Sequence, residues 1–195
     1  PNIAHLLDGG STRDSGPWFA LEYVEGVSVL GWCDSARLGI RARLHLFLEI
    51  CEAISYAHDR LVVHRDIKPA NILVDASGQV KLLDFGIAKL VDVDSTAPAA
   101  PALTQVGGRL MTLRYAAPEQ VSDGTISTVT DVYALGVVLH ELLTGVSPYR
   151  TVRDGKPFTE SALLRDEPAL PSSIIAGGEA TTERQQASPG ALARK

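Results

Sequence analysis

The stretch His64-Arg65-Asp66-Ile67-Lys68-Pro69-Ala70-Asn71 sets an acid, a cation and an amide at fixed offsets inside one short loop. Asp84-Phe85-Gly86 and then Ala117-Pro118-Glu119 follow it along the chain. Upstream, between Gly39 and Arg60, the apolar residues Leu44, Phe47, Leu48, Cys51, Ile54 and Ala57 recur at spacings of three and four, which predicts a long helix with one buried stripe. Arg41, Arg43, Glu49, Glu52 and Asp59 fall mostly outside that stripe. Downstream, Ile72-Leu73-Val74 and Val80-Lys81-Leu82-Leu83 flank Asp75-Ala76-Ser77-Gly78, a good hairpin connection. Such a hairpin carries Asn71 at one end and Asp84 at the other, a rigid way to hold two oxygen ligands.

The three motifs in this order resemble the catalytic core of eukaryotic-like protein kinases. LVVHRDIKPANILV and LLDFGIAKL are most similar in wording to bacterial members with serine/threonine specificity. The resemblance implies an α+β, protein-kinase-like fold, mainly the helical C-lobe with two N-lobe strands and the hinge. On that reading residues 1–24 are a remnant of the N-lobe, 25–165 the C-lobe, and 166–195 a loop or disordered tail. It also implies ATP and Mg²⁺ as cofactors, protein substrates with Ser/Thr acceptors, and room for a dimer in autophosphorylation. Asp66 would orient the acceptor hydroxyl and take its proton, and Lys68 would meet the transferring phosphate. Asn71 and Asp84 would hold Mg²⁺, a hard ion that takes oxygen ligands. Phosphoryl transfer asks for this set: an in-line hydroxyl, neutralised phosphate charge and held metal.

By the same resemblance PNIAHLLDGG…WFALEYVEG is the fourth and fifth N-lobe strands followed by the hinge. Leu21 is then the gatekeeper, the backbone of Glu22 and Val24 meets the adenine edge, and Leu73 closes the adenine pocket from below. His64 stacks beneath Phe85 and is not a general base; Leu6 belongs to the same stack. Read without the motifs, the segment is an ordinary hairpin, with Asp8-Gly9-Gly10 a turn that ends a short run from Ile3 to Leu7. His58 reads as a packed or surface histidine.

The polar, Pro- and Ala-rich run from Asp92 to Pro101 cannot build a core and occupies the place of an activation segment. Thr112 stands where Ser/Thr kinases put a threonine beside the catalytic groups, although Leu113 replaces the proline common after it. Arg65 and Lys89 match the basic contacts that order a phosphorylated activation loop, with Thr104 as the phosphate-bearing residue and Ser95 or Thr96 as alternatives. Thr104 as a plain solvated loop residue is the competing reading.

Thr130 and Asp131 can cap a helix running from Val132 to Leu143 and ending near Gly145. Apolar on nearly every side, it reads as a central buried helix. Asp131 and Gly136 fit the family's D-x-x-x-x-G pattern, and the resemblance implies that the aspartate hydrogen-bonds the catalytic-loop backbone. A short helix between Phe158 and Leu164 follows, and beyond Arg165 the pattern fades. The family's arginine partner for Glu119 is not recognisable there.

The 195 residues carry a net charge of −5, which favours neither nucleic acid nor an anionic membrane. Val132 to His140, the longest uncharged apolar run in a predicted helix, is far short of a span. Cys33 and Cys51 lack ligand spacing and read as buried, reduced thiols of a cytoplasmic domain, whose parent can still be anchored elsewhere. Lys68 is the first lysine of the chain, and no G-x-G-x-x-G precedes it. Both the phosphate-binding lysine and the glycine-rich cover of a kinase are therefore missing. The chain reads as a piece of a longer product, inactive alone. A truncated or pseudokinase lobe that binds proteins, and a small-molecule phosphotransferase of kinase-like fold, are the alternatives.

Overall fold

The chain opens with an antiparallel hairpin, β1 (Leu6–Thr12) and β2 (Gly16–Leu21). After the short strand β3 (Gly26–Ser28) come helices α1 (Val29–Ser35) and α2 (Ile40–His58). A 3₁₀ turn at Pro69–Asn71 leads into β4 (Ile72–Asp75) and β5 (Val80–Leu82). A second 3₁₀ turn, Pro118–Gln120, precedes α3 (Thr128–Thr144), α4 (Arg150–Arg153), α5 (Glu160–Arg165) and α6 (Pro171–Ala176). This computed structural model describes residues 1–12, 16–85, 113–122 and 124–177.

β4 and β5 form the expected hairpin, with Ile72, Val74, Val80 and Leu82 turned inward and Leu73 and Lys81 on the other face, the two-residue alternation of a strand covered on one side. The Asp75 carboxylate closes the turn by accepting from Ser77 N (2.8 Å), Ser77 Oγ (2.6 Å) and Gln79 N (3.0 Å). β3 pairs antiparallel with β4, a third strand too short to show in the sequence pattern. Gly26 is required there: a Cβ on it would lie 2.7 Å from the Val74 carbonyl oxygen. Helices α1 and α2 cover the sheet and α3 packs on α2, so that Ile50, Ile54, Ala134, Val138 and Leu142 complete one core with the strands. A second core joins Val137, Tyr149, Phe158 and Leu163.

Several sequence expectations change. Asp8-Gly9-Gly10 is not a turn; these residues lie within β1 opposite Ala20, Phe19 and Trp18. The glycines admit the aromatic rings, since a Cβ at Gly10 would stand 3.1 Å from the Trp18 ring and one at Gly9 3.0 Å from Phe19 Cδ1. Ile3 instead bridges in parallel to Leu82. On α2 the buried line is Arg43, Leu46, Ile50, Ala53, Ile54 and Ala57, while Leu44 and Leu48 are exposed. The helix carries two apolar ridges, and the sheet and α3 take the one through Ile50. Arg43 joins that line because its guanidinium donates to the carbonyls of Leu38 (Nε, 2.8 Å) and Cys33 (3.0 Å) and to Asp34 Oδ1 (2.9 Å).

The cap of α3 is Ser127, not Thr130 or Asp131: Ser127 Oγ accepts from Val129 N, and Thr130 Oγ1 accepts from Ser127 N. Gly145 ends the helix in the left-handed region at φ 82°, donating to the Glu141 carbonyl. Ten residues of α3 are buried, but Val129 and Val132 are exposed among the described residues. Past Arg165 the chain is not all tail: Pro171 starts α6, and its Ile174 is buried. One turn and a half with a single buried isoleucine is too short for a periodic signal. Cys33 and Cys51 are not joined in a disulfide, and no described helix is long and apolar enough to cross a membrane.

Candidate functional site

Asp131, near the start of α3 and 1 % exposed, anchors the loop. Its Oδ2 accepts from the backbone N–H of His64 (2.8 Å) and its Oδ1 from that of Arg65 (2.9 Å). His58, at the end of α2, donates from Nε2 to Oδ2 at 2.8 Å. Three chain segments therefore meet on one buried carboxylate, so the histidine read as merely packed belongs to the loop's support. Arg65 sits at φ 67°, a costly conformation for a non-glycine residue that the two Asp131 bonds and the surrounding contacts hold in place.

His64 is buried, and both ring nitrogens are engaged. A carbonyl can only accept, so Nε2 carries the proton to Leu83 O (2.9 Å); a backbone N–H can only donate, so Nδ1 accepts from Asp66 N (3.3 Å). Burial also pushes its pKa down. A neutral ring with both nitrogens used is no general base. Its face lies against Phe85, with centroids 4.6 Å apart.

Asp66 Oδ2 receives Lys68 Nζ at 2.7 Å and Asn71 Nδ2 at 3.0 Å, and Asn71 Nδ2 also donates to the Asp66 carbonyl at 2.9 Å. The acid, cation and amide of the motif thus form one cluster, Asp66 and Lys68 being mostly shielded from solvent. The Asn71 carbonyl accepts from Leu83 N (2.8 Å), which ties the loop to the end of β5. Asp84 follows at φ 47°, exposed.

Leu21, the last residue of β2, lines a cavity of about 700 Å³ together with Ile3, Leu6, Phe19, Asp84 and Phe85. Leu73 lies on β4 between Ser28 and Lys81, and Val24 lies in the link to β3; both are half-buried and neither borders that cavity. Glu22 N donates to the His5 carbonyl (2.8 Å), and the Glu22 carboxylate accepts from His5 Nδ1 (2.7 Å), His5 N (3.1 Å) and Lys81 Nζ (2.9 Å). The His5 hydrogen bond, seconded by Lys81, lowers the Glu22 pKa to about 2.

The segment around Ala117-Pro118-Glu119 is clamped onto the loop by Gln120, which the sequence reading missed. Its Oε1 accepts from Ala117 N and its Nε2 donates to the Arg65 carbonyl, both at 2.9 Å. A side-chain amide one position after the motif, able to donate and accept at once, was the available signal. Glu119 does have a partner: Thr130 Oγ1 donates to it at 2.7 Å. Tyr115 donates to Glu141 at 2.7 Å, and burial drives its pKa strongly upward. Gly86, Lys89, Ser95, Thr96, Thr104 and Thr112 lie outside the described residues.

The protein kinase domain model matches residues 1–172. The chain belongs to the protein kinase family. Among curated relatives, the serine/threonine-protein kinase PrkC of Bacillus subtilis is 37 % identical over 174 residues, covering 89 % of this chain and 25 % of that protein. Serine/threonine-protein kinase PknB of Mycobacterium leprae is 32 % identical over 176 residues, 88 % of this chain and 27 % of the relative. PknB of Mycobacterium tuberculosis strain H37Rv is 30 % identical over 177 residues, with 89 % and 27 % covered. The kinase chain thus spans about a quarter of the length of these relatives.

Proposed function

We propose that the full-length protein carrying this chain transfers the γ-phosphoryl group of ATP to serine or threonine hydroxyls of proteins. The observation that carries this reading is the Asp66 carboxylate held by Lys68 and Asn71 at 2.7 and 3.0 Å. Asp66 takes the proton of the acceptor hydroxyl as its oxygen bonds the γ-phosphorus and the bond to the β–γ bridging oxygen breaks, releasing ADP. Lys68 offers positive charge to the phosphoryl oxygens as they move. The Asn71 side-chain Nδ2 is engaged with Asp66, which leaves the side-chain Oδ1, with the exposed Asp84 carboxylate, as the donor pair for Mg²⁺. Among the described residues no group of three or more His, Cys, Asp or Glu could hold a metal. Two oxygen donors suit an ion that keeps waters and phosphate oxygens as its other ligands. When bound, Mg²⁺ neutralises phosphate charge. The relatives named above as serine/threonine-protein kinases support the choice of acceptor.

Residues 1–195 by themselves have negligible turnover on this reading, because no lysine precedes Lys68 and no G-x-G-x-x-G is present. Transfer of label from γ-labelled ATP to a generic protein substrate, followed by phosphoamino-acid analysis, tests the proposal on the full-length protein. Phosphoserine and phosphothreonine are the expected products. Phosphotyrosine alone, or no transfer, would reject it.

A further inference from the structure

Lys81 lies on the outer face of β5, where alternation alone would put a solvated lysine. It is instead 14 % exposed, with Nζ 2.9 Å from Glu22 Oε1. The other carboxylate oxygen of Glu22 holds His5 through both its ring Nδ1 and its backbone N–H, while Glu22 N returns a bond to the His5 carbonyl. One carboxylate therefore ties together the lead into β1, the residue that follows β2, and β5. The same β5 is bound to the chain start on its backbone, Leu82 N to the Asn2 carbonyl (2.8 Å) and Ala4 N to the Leu82 carbonyl (2.9 Å). β5 in turn ends at Leu82, two residues before Asp84.

We infer that the Lys81–Glu22 ion pair is a positioning device for nucleotide, fixing the backbone at Glu22 and Val24 relative to Asp84 so that the adenine and phosphate ends of ATP are met together. The inference rests on the ATP reading given above. A half-buried pair with charge-assisted hydrogen bonds on both oxygens is screened less than a surface pair and restricts its segments more. Lys81 touches no reacting atom, so it acts through Glu22. Without the lysine, the Glu22 carboxylate keeps His5, but the hinge loses its tie to β5. The base edge is read by backbone groups whose placement then drifts, while Asp66, Lys68 and Asn71 keep their own contacts.

The test is Lys81→Met and Lys81→Arg in the full-length protein, with KM and kcat measured for ATP and for GTP. Lys81→Met is expected to raise KM for ATP about tenfold while changing kcat at saturation less than twofold, since small displacements at a positioning contact carry effects of that order. KM for GTP, whose base presents a different edge, is expected to change less than twofold, and Lys81→Arg is expected to restore KM for ATP. If Lys81→Met lowers the melting temperature but leaves KM for ATP unchanged, the pair is only structural and the inference is overturned. Equal losses for ATP and GTP overturn it too, because the base end would not be involved. Should Lys81→Met fail to fold, Lys81→Gln takes its place, removing the charge while keeping a polar side chain of similar reach, under the same criteria. A wild-type protein that uses no ATP rejects the functional reading itself, whereas a wild type that uses ATP beside an unaffected variant rejects only the brace.

Discussion

In the loop at residues 64–71 the backbone N–H groups of His64 and Arg65 end on a carboxylate buried in α3, and Asp66 is held by two neighbouring side chains. Along β1, by contrast, every one of the seven residues is exposed, and the strand rests on β2 and on the polar knot around Glu22. The first region is positioned by a hydrophobic core acting through one anchor; the second by hydrogen bonds and an ion pair near solvent. The half that would handle the phosphate is thus pre-set by packing. The half that would read the base depends on ties that pH, salt or a single substitution can loosen.

The sharpest way to break that contrast is at the anchor. Asp131→Ala leaves the N–H groups of His64 and Arg65 and the ring of His58 without their acceptor in a buried place. It is expected to cost about 3–5 kcal/mol in denaturant unfolding. A cost under about 1 kcal/mol would mean that the core does not act through this carboxylate. Next in size, Ile50→Ala on the buried ridge of α2 should cost about 2–5 kcal/mol, while Leu48→Ala, 57 % exposed, should stay within about 0.5 kcal/mol. Equal costs would restore the stripe expected from the sequence. Gly26→Ala should cost about 1–3 kcal/mol by pushing β3 off the Val74 carbonyl, and hydrogen exchange at the β3–β4 ladder should rise.

The smallest effect concerns pH. Glu22 has its folded pKa lowered from 4.5 to about 2. Its contribution to stability is present above pH 4.5 and is lost as pH falls towards 2. Amide protection factors at His5 and Glu22, corrected for the intrinsic exchange rate at each pH, should therefore fall over that window in the wild type, and not in Glu22→Gln.

How much of this was legible in the sequence follows the same division. The loop, the β4–β5 hairpin and the span of α2 were readable because their signals are local: a motif, a two-residue alternation, a helical period. Arg43 was placed outside the core because its reasons for burial, the carbonyls of Cys33 and Leu38 and the Asp34 carboxylate, are separate in sequence. Gln120 and Lys81 escaped for the same reason; each acts on a residue more than fifty positions away. The two ridges of α2 could not be ranked without knowing which face meets the sheet. In β1 the glycines imitated a turn because the Trp18 and Phe19 rings that need them lie on another strand.

The central claim is that Asp66, fixed by Lys68 and Asn71, takes the proton of the acceptor hydroxyl. The most direct measurement is the rate of phosphoryl transfer at saturating ATP by the full-length protein and its Asp66→Asn variant, with ADP binding measured on both. The account predicts a rate about 10²–10⁴-fold lower with ADP binding retained. Transfer by Asp66→Asn at the wild-type rate would contradict it.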